Sequence, residues 1–167
     1  MTDTSQPTSP PQDSAEIDAA LLADVKDAVE ERDTRWLART LQRMHPADAA
    51  DLLEQLPYDA FEEAVELLGG ELPPDILIEL RDTYREGAVD MLPDHAVVNA
   101  LDELDSDDAT TILDDLDDDR RERILEDLAP IDRAQLERGL AYEEETAGRL
   151  MQTEFVALPE FWTVGQS

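Results

Sequence analysis

Cysteine is absent from this 167-residue chain, which excludes a disulfide framework, a thiolate zinc site and a cysteine nucleophile. Lysine occurs once, at Lys26, so arginine supplies twelve of the thirteen cations. Against them stand 43 acidic residues, for a formal net charge of −30. A surface of that sign repels a phosphate backbone and speaks against nucleic-acid binding. No run approaches the roughly 18 consecutive apolar residues that span a bilayer, and residues 1–14 lack the basic and apolar regions of a signal peptide. The expectation is a soluble piece that stays inside the cell and does not itself span the membrane. A nucleophile elbow, a phosphate-binding glycine loop and an EF-hand pattern are missing too. Catalysis therefore has no visible seat, and the chain reads as a non-enzyme. His45 and His95 each lie beside a proline-marked turn and read as cap or surface groups. The chemistry left over is that of carboxylates, although acidity with arginine in place of lysine is also what adaptation to salt or a GC-rich genome produces.

What the chain has in abundance is leucine in rhythm. Residues 1–14, rich in Thr, Ser, Pro and Gln, cannot offset the entropy of ordering and read as a disordered tail. From Ala15 the spacing of Ile17, Leu21, Val25 and Val29 predicts an amphipathic helix ending near Arg32, after which Asp33-Thr34 offers an N-cap for a second. Leucine then stands at positions 56, 68, 80, 92, 104, 116, 128 and 140, eight times at a spacing of twelve. Three residues before each comes Leu or Val, interrupted only by Glu137, and four before comes Leu, Ile or Ala. Each unit thus carries an apolar stripe on one helical face.

Twelve residues at about 100° advance some 120° beyond whole turns, so one unbroken helix would spiral its leucines around every side. The helix must break in each unit, and Pro57, Gly69-Gly70 with Pro73-Pro74, Pro93, Asp105-Ser106, Asp117-Asp118 and Pro130 stand where this requires. Arg81-Asp82 is the weakest break, weak enough for a helix to run through. Helices this short expose their stripes until a neighbour covers them. The fold expected is all-α: a right- or left-wound superhelix of about ten short helices over residues 15–141, with the repeat leucines buried along it.

Residues 102–119 hold ten carboxylates in eighteen positions, with no cation before Arg120. Asp107 and Asp108 follow Ser106, the expected N-cap, where the helix dipole favours negative charge. Asp114 and Asp115 fall in the last turn of the same helix, where it does not. A bound cation or high salt would remove that conflict. Hard oxygen donors without His or Cys suit magnesium or calcium; the alternative is a merely solvated acidic face.

From Ala141 the rhythm stops. Tyr142-Glu143-Glu144, Thr146-Ala147-Gly148-Arg149-Leu150-Met151 and Thr153-Glu154-Phe155-Val156 resemble the junction between the N domain and the paired CBS domains of MgtE magnesium transporters. Asp33-Thr34-Arg35, His45-Pro46-Ala47-Asp48 and the leucine-rich units are similar to that family's N domain. The resemblance divides the chain into an N domain over 15–141, a junction over 142–158 and the opening of a CBS domain over 159–167. It implies a cytoplasmic regulatory domain on the inner face of the membrane. Its partners would be the CBS domains and transmembrane pore of the same chain, with homodimerisation in the full-length protein. Magnesium held between the cytoplasmic domains would keep the pore shut when internal magnesium is plentiful. The ligands it implies are carboxylates at helix starts: Asp75, after Pro73-Pro74, and Asp107, with Asp108 beside it. Arg149 stands where the family often has a second glycine. Short-helix arrays also resemble the flagellar switch protein FliG, so a protein-protein interaction scaffold is the alternative reading.

Overall fold

A computed structural model describes residues 19–141; the expected tail, Ile17 and every call on residues 142–167 lie outside the described residues. Ten α-helices and one 3-10 turn, Gly69–Glu71, account for the described elements, and no strand occurs among them. The helices are α1 (Ala19–Glu30), α2 (Thr34–Leu41), α3 (Pro46–Glu54), α4 (Tyr58–Leu68) and α5 (Pro74–Glu79), followed by α6 (Asp82–Met91), α7 (Asp94–Glu103), α8 (Ser106–Asp114), α9 (Asp118–Asp127) and α10 (Pro130–Leu140). None is long and apolar enough to cross a membrane.

The breaks have a common construction. At Leu80, Leu92, Leu104 and Leu128 the repeat leucine is the residue after the last helical one, with ψ between 140° and 155°, and the next residue, also extended, caps the following helix. Proline favours this geometry because it disfavours helical backbone in the residue before it, which accounts for Leu92-Pro93 and for Ala129 before Pro130. Asp33 caps α2 as expected, its side chain accepting the Trp36 N–H at 3.0 Å. His45 caps α3 and accepts from Ala47 N–H at 3.3 Å through Nδ1, and His95 is exposed.

The weakest break holds, and one local expectation fails. Arg81-Asp82 is a full break: α5 stops at Glu79 and α6 starts at Asp82. The cause is tertiary, for Glu54 at the end of α3 accepts the Arg81 backbone N–H at 2.7 Å through one carboxylate oxygen and the Arg81 guanidinium through the other. Ser106 is not an N-cap; Asp105 is, and Ser106 is the first helical residue and is buried. The extended pair Leu104-Asp105 moves that start one residue toward the N-terminus.

Most of the helices pack on the next but one: α2 on α4, α3 on α5, α4 on α6, α5 on α7, α7 on α9 and α8 on α10, while α1 packs on α2 and α4. The residues three and four before each repeat leucine form the spine, buried from Leu52-Leu53 through Ile124-Leu125, with Leu136 continuing it. Six of the eight leucines are buried with them, but Leu104 and Leu140 are only half-buried. Leu104 borders a cavity of about 300 Å3 between α7, α8 and α10, and that cavity is why it is not covered. At Gly87 on α6 a Cβ would come within 2.6 Å of the Tyr58 hydroxyl; Tyr58, Phe61 and Tyr84 pack there, Phe61 edge-on to Tyr84 at 4.9 Å.

Candidate metal site

Asp75 is the second residue of α5 and is exposed; Asp107 and Asp108 are the second and third of α8 and are half-buried. Because α5 packs directly on α8, residues 32 and 33 positions apart in sequence (107 − 75 and 108 − 75) fall into one neighbourhood. Asp108 registers the crowding. Burial pushes its carboxyl above the ordinary 3.8, and Asp107, Asp105, Asp75 and Glu79 push it further. Two members of this set, Glu79 and Asp105, were missed from sequence. Glu79 was findable, since it stands four residues after Asp75 and therefore on the same helical face. Asp105 was hidden behind the misplaced cap.

The donor chemistry fits a hard cation. Oδ1 of Asp107 is buried and accepts no hydrogen bond among the described residues, and a buried carboxylate oxygen without a partner carries a desolvation cost that an added donor or cation removes. Among the described residues, however, no three His, Cys, Asp or Glu side chains converge closely enough to hold a metal ion by themselves. Magnesium bound by protein commonly keeps most of its water and takes one or two carboxylates. The α5–α8 seam therefore gathers carboxylates without enclosing an ion by itself.

Asp114 and Asp115 belong elsewhere. Asp115 caps the end of α8 through its backbone N–H, which donates to the Thr111 carbonyl at 3.3 Å, and its carboxylate accepts from Nε of Arg85 on α6 at 2.6 Å, with a second contact at 3.4 Å; both side chains are nearly buried, at 8% and 12% exposure. Burial pushes the Asp115 carboxyl up and the Arg85 guanidinium offsets only part of that. Asp114 lies 3.9 Å from Arg121. The conflict with the helix dipole, which on sequence called for a bound cation or high salt, is met by the protein's own arginines. Arg120 extends the pattern. Buried at the start of α9, it bonds the carbonyls of Val89 at 2.9 Å and of Leu92 at the end of α6, and Asp94 at 2.9 Å.

The profile of the MgtE intracellular N domain family matches residues 44–145. Among solved structures, the chain is similar to the cytosolic domain of the Mg2+ channel MgtE in complex with ATP, at 29% identity and a TM-score of 0.68, over 82% of this chain and 56% of that one. It is similar in fold to the soluble part of a magnesium transporter, at 19% identity and a TM-score of 0.66, over 82% of this chain and 54% of that one. The chain thus spans little more than half the length of either structure. No match was found among the curated proteins.

Proposed function

From the premise that this chain belongs to the family of MgtE intracellular N domains, we propose that it is the regulatory, cytosolic portion of a magnesium channel or transporter and that it senses magnesium at the α5–α8 seam. The observation that supports this reading is the meeting of Asp75, Asp107 and Asp108 across two helices, with a buried oxygen of Asp107 left without a donor. A bound magnesium ion would supply two positive charges where no ion pair of Asp75, Asp107 or Asp108 is found among the described residues. Asp75 and Asp108 hold the ion's waters or the ion itself from either side, and Asp107 gains the missing partner. A second wall, contributed by CBS domains of the same chain, completes the coordination. The ion then favours the packed arrangement of the cytosolic parts, in which the pore of the dimer is closed, by its differential affinity for that arrangement. In this reading the domain acts by binding, not by catalysis.

The test is made in the full-length protein. Channels carrying Asp75→Ala together with Asp107→Ala should stay open at internal magnesium concentrations that close the wild type, with permeation itself unchanged. Flux or patch recordings in which the double variant closes at the wild-type concentration would overturn the assignment of these two residues.

A further inference from the structure

Beside the seam, a groove of about 490 Å3 opens between the 3-10 turn, the start of α5 and α7. Its floor is apolar and buried, made by Leu72, Leu77, Leu92, Ala96 and Ala100. Its rim is acidic: Glu71, Asp75 and Glu103 are exposed around the mouth, and none of them forms a salt bridge among the described residues. Small residues keep the groove open. Gly69 takes a φ of +47°, which a residue with a Cβ adopts only under strain. At Gly70 a Cβ would meet Ala96 at an ordinary 3.7 Å, so glycine there leaves space rather than avoiding a clash.

An apolar floor under an acidic rim matches a side chain whose stem is aliphatic and whose head is cationic. Arginine fits better than lysine, because its guanidinium is weakly hydrated and forks onto carboxylates. The groove also runs from Gln42 at the end of α2 to Glu103 at the end of α7. Stacked-helix proteins bind extended chains along surfaces built from successive helices in this way. With a net charge of −30 on the molecule, a basic segment is steered toward it from a distance. We propose that this groove docks an arginine-bearing, partly apolar segment of a protein partner, its arginine stem lying on Ala96 and Ala100 and its guanidinium meeting Glu71 and Glu103. The proposal stands independently of any metal at Asp75.

The probe is a short blocked peptide alternating arginine and leucine, titrated into the 167-residue chain at near-physiological salt and followed by the amide resonances of Leu77, Ala96 and Ala100. Those signals should move saturably while the α9 amides Asp118 and Asp119 stay still. Glu71→Gln with Glu103→Gln should weaken binding roughly tenfold, which corresponds to about 1.4 kcal/mol. Gly70→Leu, which fills the groove without changing charge, should abolish it, with an unchanged melting temperature showing that the fold survives. Shifts spread over the whole acidic surface, insensitivity to Gly70→Leu, or equal binding of spermidine or of an arginine-free lysine peptide would each overturn the proposal.

Discussion

Two junctions in this molecule carry an excess of acid and resolve it in opposite ways. Where α6 meets α8 and α9, Asp115, Asp90 and Asp94 face Arg85 and Arg120 at 2.6 to 3.8 Å. Where α5 meets α8, Asp107, Asp105, Asp75 and Glu79 all push the Asp108 carboxyl up, and the cations near in sequence, Arg81 and Arg85, are committed to Glu54 and Asp115. The first junction is closed by groups the chain carries. At the second, no ion pair among the described residues answers Asp75, Glu79, Asp107 or Asp108, which is what the sensing role proposed above builds on. Seven of the twelve cations among the described residues are held in ion pairs.

Breaking the arginine side of the comparison should have the largest effect. Arg85→Ala leaves the carboxylate of Asp115 nearly buried and unpaired, so it should cost roughly 3–5 kcal/mol, and Arg120→Ala, which strips donors from the α6 carbonyls, roughly 2–4 kcal/mol. Asp75→Asn and Glu79→Gln on the other side should cost nothing measurable in urea unfolding. Equal losses on both sides would erase the distinction.

The repeat leucines flanking the two junctions sharpen it next. Leu116 follows Asp115 and is buried, whereas Leu104 precedes Asp105 and is half-buried beside a cavity. Truncation of Leu116 to alanine should cost roughly 2–5 kcal/mol, as core leucines do. For Leu104→Ala, which on sequence alone ranked with the rest of the column, the loss should stay below about 2 kcal/mol, since much of its transfer free energy is never gained. Thermal melts of the two variants decide this, and a Leu104 loss as large as that of Leu116 would mean the C-terminal end is as tightly packed as the middle.

The smallest effect is electrostatic. Asp108 has a folded-state pKa raised above its ordinary 3.8 by burial and by its acidic neighbours, so the folded form binds a proton more readily than the unfolded one. Its contribution to stability is therefore fully present below the ordinary carboxylate value and is lost as pH rises through the raised one. Asp108→Asn should gain about 0.5 kcal/mol at neutral pH and low salt, and should flatten the acid-side rise in stability that the wild type shows. Asp115 adds a rise of the same sign, so the flattening is partial. A variant with an unaltered pH profile would mean that the seam carboxylates do not repel one another.

Much of this was readable in the residues because short-range physics governs it. A twelve-residue period cannot close on a helical face, so the helix breaks follow from arithmetic, and the apolar columns name the spine from Leu52-Leu53 to Ile124-Leu125 without reference to any neighbour. Asp33 and His45 are caps for equally local reasons. Asp75, Asp107 and Asp108 were nameable as helix-start carboxylates, but their meeting was not, because it depends on α5 packing on α8 across more than thirty residues of chain.

The sequence by itself determined the all-helical class, the period, the acid surplus and the absence of thiol chemistry, since each is a property of composition or of residues within a few turns of one another. Only the tertiary structure decided which carboxylates would be answered and which left. Arg85 and Arg120 reach Asp115 and Asp94 from 26 to 30 residues away, Glu54 enforces the break at Arg81 from 27, and among the described residues no arginine forms an ion pair with Asp75, Glu79, Asp107 or Asp108. Coulomb energy falls with distance in space and takes no account of distance along the chain, so a charge block that looks uniform in sequence becomes, once folded, a bridged joint at one end and an acidic seam at the other.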